Sequence, residues 1–201
     1  GAPTAVVSPT RPEGRDAPPV VLEAPVAEPL AAAQIQAVST ETLSGAAGSA
    51  CGEPLNEQWL LGGSTALGVS TTLSLGNPGS VPATVQISVY DESGPVDAVQ
   101  TAGVLVAAGT MQTVSLNGYA PERERLAVRV ISTGAPVTAS LGVGQTSGIS
   151  PFAVSSVTRQ IDPETTLVIP GVANRSDHGH GPSDSGEGDD FPVAVRVLAP
   201  S

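Results

Sequence analysis

The sequence predicts an all-β protein: immunoglobulin-like β-sandwich module or modules behind a disordered, Pro/Ala-rich N-terminal linker. Three observations carry that expectation. Short segments alternate apolar and polar residues with a period of two, the mark of a half-buried strand. The 23 glycines and 19 prolines make roughly a fifth of the chain, an excess that belongs to turns and linkers rather than long helices. Aromatics make up only 2% of the chain, so its core is built from valine, leucine, isoleucine and alanine. No convincing helical period interrupts the series.

In chain order, residues 1–50 read as a linker. Prolines at 3, 9, 12, 18, 19, 25 and 29 remove backbone donors and fix φ, favouring an extended, polyproline-like course. Between Pro29 and Leu43 the run Leu-Ala-Ala-Ala-Gln-Ile-Gln-Ala-Val allows a short helix with a thin apolar stripe of Leu30, Ile35 and Val38. Residues 44–50 read as loop.

The pattern changes at Cys51, and residues 51–165 form the predicted sandwich module. Thr71–Leu75 leads into Asn77-Pro78-Gly79-Ser80, a strong turn signal. From Ala83 to Tyr90, Val85, Ile87 and Val89 share one face and Thr84, Gln86, Ser88 and Tyr90 the other. Asp91-Glu92-Ser93-Gly94-Pro95 closes that strand. Val96–Val106, Met111–Leu116, Leu126–Ile131, Val137–Val143, Val154–Arg159 and Leu167–Ile169 continue the series. An internal echo then appears: Thr72-Leu73 and Pro82–Ile87 are answered by Thr166-Leu167 and Pro192–Val197. Residues 166–201 therefore read as the start of a second, truncated module, or else as the last strands of the first.

Composition also excludes function classes. All eight basic residues are arginine against nineteen acidic ones, giving a net charge of −11. Without lysine there is no Walker-type phosphate loop and no Schiff-base chemistry. With histidine confined to His178 and His180, an ordinary Ser-His-Asp or Cys-His site is hard to assemble. A chain this acidic repels nucleic acid and anionic lipid, and no run reaches the ~20 apolar residues of a membrane span, so neither nucleic acid binding nor direct membrane insertion is expected. Cys51 stands alone, so an internal disulfide is excluded, and it reads as an inert thiol or as one whose partner lies on another chain or outside this sequence.

Few residues could carry chemistry. The stretch Asp177–Asp190 holds His178, His180, Asp184 and Asp189, the candidate metal ligands, set among glycines and serines. Their spacing matches neither a calcium loop nor a helical zinc pair, so a solvated loop is the stronger expectation and no cofactor is implied. Gly142-Val-Gly-Gln-Thr-Ser-Gly148 has the spacing of a nucleotide loop, but no helix-forming run follows, and it reads as a turn between strands. Asn174-Arg175-Ser176 spells a glycosylation acceptor, a pattern that arises often by chance. Trp59 invites a sugar-platform reading, weighed against packing at a module edge beside Leu60 and Leu61. Pro121–Arg125, which mixes charge signs at close spacing, reads as a solvated loop or strand end rather than a recognition patch.

The strings Cys51-Gly-Glu-Pro, Trp59-Leu-Leu-Gly-Gly-Ser-Thr, Leu73-Ser-Leu-Gly-Asn-Pro-Gly, Pro82-Ala-Thr-Val and Gly94-Pro-Val, followed by Leu167-Val-Ile-Pro-Gly-Val, carry a family resemblance. Over residues 51–201 the chain resembles the secreted or membrane-anchored domain of unknown function of actinobacterial envelope proteins, often encoded beside a large glycosyltransferase. The resemblance implies an extracytoplasmic place and no reaction. The expected role is thus non-catalytic: structural or partner-binding at the cell envelope, with envelope proteins or cell-surface glycans as partners. The alternative is a carbohydrate-binding accessory module.

Overall fold

The computed structural model describes residues 18–23, 30–41, 43–96, 103–160, 163–168 and 195–199. Among them are eleven strands and one short helix: β1 Ala33–Ser39, β2 Ser44–Ala50, β3 Glu57–Leu61, β4 Val69–Gly76, β5 Ala83–Asp91, β6 Gly94–Pro95, β7 Val104–Val106, β8 Met111–Ser115, α1 Leu116–Tyr119, β9 Ala127–Gly134, β10 Thr138–Ser147 and β11 Ser150–Thr158. The all-β class is as the sequence predicts.

Two antiparallel sheets face each other. One runs β11-β10-β4-β8; the other runs β3-β9-β5, with β6 and β7 pairing opposite ends of β5. The chain crosses repeatedly between them, from β3 to β4, back to β5, out to β8, and back through α1 to β9. Alternation explains the single core. In β5, Ala83, Val85, Ile87 and Val89 point inward, and Val128 and Val130 do so in β9. The opposite sheet contributes Leu73, Leu75, Val114, Ala139 and Leu141. Leu73 of β4 stands beside both Leu141 of β10 and Val114 of β8, which knits that sheet's inner face together. Each fully buried leucine or valine contributes roughly 1.5–3 kcal/mol by leaving water.

The Asn77 turn joins the two layers. Asn77 is fully buried, and its Nδ2 donates to the carbonyls of Val81 at 2.8 Å and Val106 at 3.1 Å. Its Oδ1 accepts the Gly79 amide at 2.9 Å, an Asx-type turn that reverses the chain from β4 toward β5. At the far end of β9, Gly134 takes φ +89°, and a Cβ there would stand 2.5 Å from the Pro82 carbonyl oxygen.

Several expectations are corrected. The helix expected within Pro29–Leu43 is strand β1, and the expected loop 44–50 is strand β2. They pair from Ala33↔Ala50 to Ser39↔Ser44 about a turn in which the Thr40 hydroxyl accepts the Leu43 amide at 2.9 Å. The run Gln34-Ile35-Gln36-Ala37 alternates as well as it spirals, and tertiary contact decides between the two. That contact is close. A Cβ on Gly45 would stand 2.7 Å from Val154 Cγ2, and one on Gly144 would stand 2.6 Å from Leu43 Cδ1, so the hairpin rests on the β10–β11 surface through missing side chains. The same close approach explains why the glycine run from Gly142 is not a turn. Gly142 and Gly144 lie inside β10, and only Gly148 turns, at φ +60°. Of the predicted strand Val96–Val106, only Val104–Val106 is strand among its described residues. Residues 163–168 carry no strand, and Ile169 lies outside the described residues.

Candidate functional site

The outer face of the β3-β9-β5 sheet carries the chemistry that the described residues gather. Because Leu60 points into the core, its neighbours Trp59 and Leu61 point outward, as do Ala127 and Arg129 of β9 and Tyr90 of β5. Trp59 lies opposite Arg129, whose guanidinium carbon sits 5.3 Å from the indole centroid. The Tyr90 ring approaches to 5.6 Å at a tilt of 40°. Arg129 is held there by Glu57, with Nη2 at 2.8 Å and Nε at 2.9 Å from Glu57 Oε1. Trp59 is only 6% exposed, and its Nε1 is buried with no hydrogen-bond partner among the described residues. It is a packing residue and offers no sugar platform.

One rung further along, β5 ends at Asp91. The Asp91 carboxylate is buried; its Oδ2 accepts Arg123 Nη1 at 3.0 Å and its Oδ1 accepts the Ser93 amide at 2.7 Å. The Glu122–Arg125 segment is a loop with Glu122, Glu124 and Arg125 exposed, as the sequence predicts, but it is anchored at Arg123. Glu122 turns back at φ 58°, the Arg123 carbonyl accepts the Thr65 amide at 2.8 Å and the Ser64 hydroxyl at 2.9 Å, and the Thr65 hydroxyl accepts the Arg123 amide at 3.0 Å. This two-way stitching sets where Arg125 emerges.

Residues 195–199 lie against this corner. Arg196 Nη1 donates to the Gly63 carbonyl at 2.8 Å, and Val195 to Leu198 complete an open groove of about 390 Å³ with Leu61, Tyr90, Asp91, Glu92, Arg125, Leu126 and Ala127. Burial pushes the Arg196 guanidinium below its ordinary pKa, the nearby Arg125 charge pushes the same way, and Glu92 opposes them. Sequence reasoning missed this groove. Its two arginines are 71 positions apart in the chain (125 and 196), and no local motif marks them.

The sequence-derived candidates fall elsewhere. His178, His180, Asp184 and Asp189 lie outside the described residues, as does Asn174-Arg175-Ser176. Among the described residues no three His, Cys, Asp or Glu side chains come together as a metal site. Cys51 is exposed and free. No described helix is long and apolar enough to cross a membrane.

Fold and groove together define an antiparallel β-sandwich with an arginine-bearing recess on one outer face. The chain belongs to a family of unknown function (DUF5719), which matches residues 10–201. It is similar to the Thermotoga maritima 1070 crystal structure at 15% identity, over 53% of this chain and 94% of that one, with a TM-score of 0.46. It is also similar to the Anabaena sensory rhodopsin transducer at 17% identity, over 44% of this chain and 96% of that one, with a TM-score of 0.38. No curated protein matches the chain.

Proposed function

We propose that this chain is a non-catalytic, extracytoplasmic module of the cell envelope that works by binding a partner. The observation that carries the binding reading is the groove: an open recess of about 390 Å³ on the outer face of the sheet, lined by aliphatic residues, Tyr90, Arg125 and Arg196. The envelope setting is supported by the resemblance of residues 51–201 to secreted or anchored domains of actinobacterial envelope proteins, and by a net charge of −11 that suits a soluble, exposed module. Lysine-free, histidine-poor composition favours binding over catalysis. Affinity capture on the immobilised full chain tests the role, with an unrelated acidic β-sandwich as control. A saturable, chain-specific component retained from envelope extract is expected; equal retention by the control overturns it.

Glycan binding is the second reading. Burial of Trp59 takes away its platform, but the groove supplies a different observation in its favour, because Tyr90 and charged hydrogen-bonding groups converge there. A glycan array separates it from a protein partner.

A further inference from the structure

The groove beside residues 195–199 has a charge balance at odds with the rest of the chain. Acidic residues outnumber arginines nineteen to eight, so a guanidinium placed at random would readily meet a carboxylate. Arg123, Arg129 and Arg159 each have one: Asp91, Glu57 and Glu53. Among the described residues, Arg125 and Arg196 do not. No described carboxylate lies within ion-pair distance of either, and Arg196 spends its Nη1 on a neutral carbonyl. Asp91, which also lines the groove, is already engaged by Arg123. Two guanidiniums are thus left, among the described residues, against the single carboxylate of Glu92.

Two like charges held close, one of them partly desolvated, are an unfavourable arrangement that an incoming anion relieves. Guanidinium forks favour carboxylates because their paired N–H groups match the two carboxylate oxygens. Around them lie Leu61, Val197 and Tyr90, apolar and aromatic residues of the kind that suit the C–H face of a sugar ring. Glu92 stands beside them as an acceptor for hydroxyl groups.

We infer that the groove formed by Arg125, Arg196, Tyr90 and Glu92 binds a carboxylate-bearing sugar, a uronate, with the acid group between the two arginines. This rests on the glycan-binding form of the partner-binding reading. It goes further in naming an acidic sugar and the atoms that read it.

Titration of the full chain at low ionic strength tests it, following backbone amide shifts with sodium glucuronate, glucose, acetate and inorganic phosphate in turn. Saturable binding of glucuronate is expected, with glucose and acetate much weaker. R125Q and R196Q each weaken it roughly tenfold or more, the loss of one charge-assisted contact, and E92A weakens it less. Arg125 is exposed and makes no hydrogen bond among the described residues, so R125Q keeps the test valid should R196Q melt early. Glucuronate binding no tighter than glucose, or unaltered by R125Q, overturns the inference. Acetate or phosphate binding as tightly as glucuronate overturns it too, since the groove is then a plain anion sink. If glucuronate fails while neutral glycans bind on the array, the glycan reading survives and only the acidic-sugar assignment falls.

Discussion

Asn77 and Asp91 show how single polar side chains hold the corners of this sandwich. Asn77 was legible as part of a turn, because Asn-Pro-Gly is a turn signal wherever it occurs. That it is fully buried was not, since its partners at Val81 and Val106 come from the turn before β5 and from β7, 29 residues on. Asn77→Ala leaves the buried Val106 carbonyl, the half-buried Val81 carbonyl and the Gly79 amide short of a partner, and a loss of about 2–3 kcal/mol is expected by urea unfolding. Asp91→Asn removes the charge that holds Arg123. Arg123 keeps 41% side-chain exposure, so water cushions the loss, and about 1–2 kcal/mol is expected in the same measurement. Leu60→Ala provides the scale: a fully buried leucine at the centre of the core, expected to cost about 3 kcal/mol. Both polar variants should fall at or below it.

Among the elements, legibility followed the alternation. β4, β5, β8, β9, β10 and β11 were each read from their own residues, because one buried face imposes a period of two. β1 and β2 were not. Their sequences are rich in alanine, serine and glycine, and their apolar side chains are largely exposed, Ile35 at 82%. What makes them strands is each other and the surface of β11, contacts invisible to a local reading. β3 was missed for a related reason: Gln58, Trp59 and Leu60 are all buried, so five residues show no alternation at all. Gln58 solves its burial by donating Nε2 to the Val137 carbonyl at 2.6 Å. Docking of the hairpin through glycine makes a direct prediction. Gly45→Val places side-chain carbons where Val154 already lies and demands φ +145° of a β-branched residue. Amide hydrogen exchange in 33–50 should then speed up at least roughly tenfold while the β4, β5 and β9 amides keep their protection, as befits a unit that opens on its own. Equal exchange in both proteins would show that the hairpin does not depend on this contact.

For the whole molecule, composition spoke about what the chain lacks and geometry about what it gathers. Eight arginines and no lysine argued against several chemistries, yet nothing in the sequence said that Arg125 and Arg196 would line one recess. That recess needs a loop stitched to residues 64 and 65 and a segment brought back from position 196, which is long-range structure by definition. The central claim is that the folded module faces the outside of the cell and binds there. Cys51 allows it to be tested without any substitution, because it is the sole cysteine, exposed and free. Intact cells carrying the native chain are treated with a membrane-impermeant maleimide, and labelling of Cys51 is compared with that in lysed cells. The account predicts equal labelling in both. Labelling that appears only after lysis would contradict it.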